Sequence, residues 1–241
     1  ANIMHRKGAQ DKRRAQQFTK LAREIQAAVK LGGADPDTNA RLFRAVQAAR
    51  AASMPKDNIQ RAVDRGSGNG AEELEEIRYE GFGPGGVGII VECLTDNRNR
   101  TAGDVRSAFS KNGGNLGTSN AVTSGFDRLG EVRYPLSAAD ENAMLEAAIE
   151  AGADDCQTEE GEHVIVCPMG DLAEVAKALA SHFGDPLSAK FVWRPHSTVT
   201  VEGDPAAQLM KLLTTLEDLD DVQTVSANFE MTEAEMERLG A

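Results

Sequence analysis

The sequence predicts an α+β protein: an N-terminal three-helix bundle, then a discontinuous α+β domain with an inserted ferredoxin-like (βαββαβ) domain. Three observations lead there. The first 65 residues show only helical periodicity. Strand-like and helix-like segments alternate from about residue 75. One complete βαββαβ run, residues 130–194, stands between two βαβ halves that each need a partner to bury a sheet face. The expected division is 1–70 for the helical domain, 75–128 with 196–232 for the discontinuous domain, and 130–194 for the insertion.

In the helical part, Phe18, Leu21, Ala22, Ile25 and Val29 recur at the spacing of one helix face. Gly32-Gly33 ends that helix and Asp35-Pro36-Asp37 is a turn. Leu42, Val46 and Ala49 mark a second helix, and Ile59, Ala62 and Val63 a third, with Pro55 suited to its first turn. Gly66–Gly70 reads as a flexible linker. Strands at 76–81 and 87–94 flank a glycine turn, a helix covers 100–111, and a weaker strand is expected at 122–127. The inserted run is strand 131–134, helix 140–151, strands 154–158 and 163–167, helix 172–183 and strand 190–194. Strand 199–202, helix 206–219 and strand 222–229 complete a second βαββαβ sheet with the first half.

Composition narrows the function. No run of apolar residues is long enough to span a bilayer, and no apolar segment near Ala1 reads as a secretory signal. Three cysteines without a C-x-x-C pair disfavour a disulfide framework or zinc ribbon and point to a reducing, cytoplasmic setting. Gly81–Gly86 matches G-x-G-x-x-G, but β-branched Val87–Val91 follows where the dinucleotide fingerprint needs a helix, so a hairpin turn is expected. His163 and Cys167 are two ligands at most, read as an exposed and a core residue; Glu217, Asp218, Asp220 and Asp221 read as a solvated helix end. No metal, cofactor or catalytic residue is expected: the four histidines are scattered and no nucleophile sits in a triad context.

Charge is the informative signal. The chain carries a net −12, yet residues 1–65 carry +8, residues 66–126 carry −3 and residues 127–241 carry −17. A basic end on an acidic protein suits a polyanion held at one end only. Lys12, Arg13, Lys20, Arg23 and Lys30 fall within roughly 60° of the side opposite Phe18 on a helical wheel. His5, Arg6 and Lys7 extend the charge upstream, Arg41 and Arg44 add to it from the second helix, and Lys56 from the third. In Thr95–Thr101, Arg98 and Arg100 either grip phosphate beside a helix start or belong to a capping segment closed by Asn97 or Asn99. These residues are the expected nucleic-acid contacts, and no membrane contact is expected.

Several long segments carry a resemblance: Ala1–Lys7, Met54–Ile59, Tyr79–Gly86, Thr95–Thr101 and Ser110–Gly117. Together they resemble the YebC/PmpR family over nearly the whole chain. The resemblance implies a helical domain with two α+β domains, one inserted in the other, and a cytoplasmic DNA-binding regulator of transcription. Relatives, including mitochondrial ones, are linked instead to translation on the ribosome, which makes a factor bound to ribosomal RNA the alternative. An enzyme with an unrecognised site between domains is a third class. Under the leading reading the acidic domains contact protein partners or keep the remaining surface off the polyanion. Met4 and Thr123-Ser124-Gly125 depart from the family pattern, which more often has a polar or basic residue and an apolar, aromatic strand there.

Overall fold

The computed structural model describes residues 2–68 and 73–240, with side chains from Gln10 onward. Two compact units emerge: residues 1–23, 70–127 and 194–241 form one, and residues 24–69 with 128–193 form the other. Helix α1 (Asn2–Gly32) contributes to both.

In the second unit the end of α1 packs with α2 (Ala40–Ala51) and α3 (Lys56–Ser67). Ile25, Ala28 and Val29 are buried, as are Leu42, Val46 and Ala49, and Met54, Ile59 and Ala62. The periodic stripes read in the sequence therefore supply this core from Ile25 onward, while Phe18, Leu21, Ala22 and Val63 are only half-buried. Asn39 joins the first two helices. Its side chain accepts from Leu42 N at 3.1 Å as the α2 cap, and its amide donates to the carbonyls of Ala28 and Gly33, both at 2.8 Å. Pro55 is the cap residue of α3, one position before the expected first turn. Gly66 belongs to α3 rather than to a linker. A Cβ there would lie 2.8 Å from Val29 Cβ and from the Gln26 carbonyl, so the bare backbone lets α3 approach α1. Gly68 follows as the C-cap of α3, and the rest of the expected linker, residues 69 and 70, lies outside the described residues.

The same unit holds the predicted βαββαβ run: β4 (Phe126–Pro135), α5 (Glu141–Ala151), β5 (Asp155–Glu159), β6 (Glu162–Pro168), α6 (Leu172–Phe183) and β7 (Ser188–Pro195). Three further strands precede these in the chain: β1 (Glu75–Gly83), β2 (Val87–Thr95) and β3 (Asn115–Leu116). The run's sheet has the order β5-β6-β4-β7, with first and third strands central, which is the ferredoxin-like arrangement. Val132, Tyr134, Ile165 and Cys167 of the strands pack on Met144 and Ala148 of α5 and on Leu172, Val175 and Leu179 of α6. Tyr134 is the largest fully buried side chain of this core, and its hydroxyl donates to the Gly184 carbonyl at 2.8 Å.

The other unit is a sheet of order β3-β1-β2-β9 backed by α4 (Arg98–Lys111) and α7 (Gly203–Glu217), where β9 is Val222–Ala227. This corrects the expected second βαββαβ sheet. The β1–β2 hairpin runs in antiparallel register from Glu75↔Thr95 to Gly83↔Val87 and supplies the sheet's two central strands. Residues 122–125 turn through a short 3-10 segment instead of forming a strand, and β4 begins only at Phe126. Val199–Thr200 (β8) pairs with Phe229–Glu230 (β10) in a separate two-stranded ribbon, and a last helix, α8, covers Glu233–Arg238. Val87, Ile89, Val91 and Cys93 turn one face of β2 toward Val105, Ala108 and Phe109 of α4 and Leu209, Leu212 and Leu216 of α7.

Candidate nucleic-acid interface

On the first unit, α1 presents two kinds of cation. Lys12 and Arg13 are exposed, and Arg14 stacks over the Phe18 ring at 5.3 Å. One and two turns on, the side chains face inward. Gln16 donates to the Asp218 carbonyl at 2.5 Å and to Asp220 Oδ1 at 3.2 Å, and Lys20 Nζ donates to the Glu217 carbonyl. Burial pulls the Lys20 pKa below the usual lysine value, against the opposing pull of Glu217, Asp220 and Asp218. Arg23 reaches Asp221 Oδ1 at 2.9 Å and the carbonyls of Leu94 and Asp220 at 3.1 and 3.3 Å. In return Gln223 Nε2 donates to the Lys20 carbonyl at 3.2 Å. The stripe opposite Phe18 is thus partly a docking surface onto the α7–β9 turn. His5, Arg6 and Lys7 lie outside the described side chains.

Asp221 organises that turn. It is buried, and besides Arg23 it accepts Arg100 through both oxygens, at 2.8 and 3.1 Å, and the Thr101 hydroxyl at 2.8 Å. Burial alone would raise its pKa; the hydrogen bonds from Arg100, Arg23 and Thr101 outweigh burial and hold it below the ordinary carboxylate value. Arg100 also holds Asp96 at 2.7 Å, and these two partners push its pKa up. Asn97 is the cap of α4, accepting from Arg100 N at 3.1 Å, as the capping reading of Thr95–Thr101 expects. Arg98 is exposed, with Glu75 3.6 Å away. Asp221 was legible only as one acid of a run read as solvated, since nothing local marks which of four neighbouring carboxylates turns inward.

On the second unit, Arg41 makes a two-pronged contact with Glu24 at 2.8 and 3.2 Å. Arg44 lies over the Phe191 ring, its carbon 4.6 Å from the centroid. Lys30 and Lys56 are exposed on α1 and α3, with Arg61 and Arg65 also on the outer face of α3. The sequence reading missed Arg128, Phe191 and Trp193, although Lys190-Phe191-Val192-Trp193-Arg194 is a basic, aromatic run inside an acidic half.

The remaining motifs resolve structurally. Gly81–Gly86 joins β1 and β2, with Gly85 and Gly86 at φ of +80° and +77°, and a strand follows it. His163 is buried, correcting its expected exposure, with Nε2 2.8 Å from the Ala139 carbonyl. Cys167 is a core residue as read. Among the described residues no group of three or more metal-ligating side chains is found, and no helix is long and apolar enough to cross a membrane.

A helical head on ferredoxin-like and hairpin-centred α+β units defines a class of multi-unit α+β protein with a basic N-terminal region. Two family descriptions match it in succession: the TACO1/YebC protein N-terminal domain over residues 1–69, and the TACO1/YebC second and third domain over residues 74–229. The chain belongs to the TACO1/YebC family. A probable transcriptional regulatory protein of Maricaulis maris is 56% identical, covering 99% of this chain and 97% of that one. One of the same description from Zymomonas mobilis is 54% identical, covering 99% and 96%. The crystal structure of a conserved hypothetical protein from Aquifex aeolicus superposes with a TM-score of 0.84 at 44% identity, covering 91% of each chain. The names of the relatives support a regulatory role.

Proposed function

We propose that this chain is a non-enzymatic regulator of transcription that binds duplex DNA through its basic helical region. The observation that carries the reading is the concentration of cations in residues 1–65, net +8 in a chain of net −12, with Lys12, Arg13 and Lys56 exposed on helix surfaces. Each such side chain placed against a phosphate releases a condensed counterion, which favours binding without reading sequence. Lys30, Arg44 and Arg98 add cations in this reading, whereas Arg41 is held by Glu24 within its own unit. Lys20, Arg23 and Arg100 have partners within their own unit and contribute chiefly by fixing α1 and α4. His5, Arg6 and Lys7 extend the contact upstream. Sequence discrimination is weak. Direct readout of adenine uses Asn or Gln side chains, and among α1's amides Gln16 is already bound to Asp218 and Asp220. The protein works in the cytoplasm, and the acidic half faces protein partners or solvent.

The test is anisotropy of a labelled duplex titrated with wild type and with the Lys12→Glu/Arg13→Glu variant across a salt series. Wild-type affinity falls on a log–log plot by about 0.9 per phosphate neutralised. The variant binds at least about tenfold more weakly and loses nearly two units of that slope. Equal binding by the two proteins refutes the assignment. A structured RNA competing far better than duplex DNA of equal length moves the reading to a ribosome-bound translation factor.

A further inference from the structure

Residues 127–241 hold only seven Lys and Arg, and four of them, Arg128, Arg133, Lys190 and Arg194, lie on two neighbouring strands. β7 is an edge strand beside β4, and its segment Ser188–Pro195 has two cations, two aromatic rings and no acid. Phe191 and Trp193 are two residues apart, so they point to the same side of the strand. Phe191 is 38% exposed although it is a large apolar ring. Around it Arg44 stands 4.6 Å and Arg128 5.9 Å from the ring centroid, and Arg128 is also 4.8 Å from the centroid of Trp193. The result is a ladder of guanidinium planes and rings. Glu24 is the acid acting on Arg44, and Arg41 already holds both of its oxygens. Burial depresses the Arg44 pKa despite Glu24, with Arg41 adding to the effect, so an incoming anion is favoured there.

We propose that Phe191 and Trp193, with Arg44 and Arg128, form a second nucleic-acid site that accepts unpaired bases of a single strand. Rings and guanidinium planes are the surfaces on which unstacked bases lie, and the same cations, with exposed Lys190, meet the flanking phosphates. Bases inside a duplex do not present their faces, so this site discriminates by strandedness where the cations of α1 do not. It shares Arg44 with the duplex-binding reading and otherwise stands apart from it.

Trp193 is the chain's only tryptophan, so its fluorescence reports the site directly. The full chain is titrated with short oligothymidylate and with oligouridylate, and separately with a blunt duplex. Saturable quenching by a single strand, with none from the duplex, is expected, and the tighter of the two strands names DNA or RNA as the source. Phe191→Leu weakens single-strand binding about fivefold or more, whereas Phe191→Tyr, which keeps a stacking face, retains it. Lys190→Glu, at an exposed position, weakens binding with no packing change. Lys12→Glu/Arg13→Glu leaves the quenching in place, which separates this site from α1. No quenching by either strand, equal quenching by duplex, or unchanged affinity in both Phe191→Leu and Lys190→Glu overturns the proposal.

Discussion

Replacing Asp221 by Asn tests the account of how α1 is held. The substitution keeps the shape of the side chain and removes its charge, leaving Arg23 and Arg100 facing a neutral amide. Removing one member of a buried ion pair costs about 3–5 kcal/mol. Here the lower end applies. Arg100 is well exposed and keeps Asp96 at 2.7 Å, and Arg23 keeps the Leu94 and Asp220 carbonyls at 3.1 and 3.3 Å. About 3 kcal/mol corresponds to a fall in melting temperature of about 6–12 °C for a chain of this size. The pH dependence follows from the direction of the shift. The folded pKa of Asp221 lies below its unfolded value, so its contribution is full above about pH 4 and disappears as pH falls through the folded value. Calorimetry from pH 7 down to pH 3 should therefore show wild type and variant far apart at neutrality and converging in acid. The Arg23→Gln/Asp221→Asn double variant should lose less than the sum of the singles, because the two groups share one contact. A variant that melts within a degree of wild type at pH 7, or a gap that persists unchanged at pH 3, refutes this reasoning.

Two further outcomes are expected. The buried Glu80 carboxylate accepts backbone N–H groups from Asn120, Val122 and Thr123 at 2.8, 3.0 and 2.7 Å, which offset burial and lower its pKa. Glu80→Ala should cost about 2–3 kcal/mol in urea unfolding and accelerate amide exchange at residues 120–123 first; unchanged exchange there would contradict the assignment. Cys93 and Cys167 are buried thiols whose pKa values are pushed up to about 12 and about 11, so neither should react with iodoacetamide at pH 8 until the chain unfolds, as peptide mass mapping would show.

The sequence by itself determined the elements whose signals are local. Helical stripes at 18–29, 42–49 and 59–62, the glycine hairpin at 83–87 and the strand–helix order of 131–194 each depend on spacing within one segment, and each appears in the structure. The charge split was equally legible, because summing charges needs no coordinates. Tertiary structure decided what depends on residues far apart in the chain. The hairpin could have joined a βαβ pair, but in the structure it takes the centre of its own sheet and β9 completes it from about 130 residues later. A two-residue strand such as Val199–Thr200 has too little periodicity to announce its partner. Among four acids at 217–221 only packing against α1 and α4 chose Asp221 for burial, and the same packing gave Lys20 and Arg23 internal partners. The cation–ring ladder arose likewise, from α2, β4 and β7. Periodicity tells a side chain which face of its own element it is on, but which other element covers that face is fixed only when the chain folds.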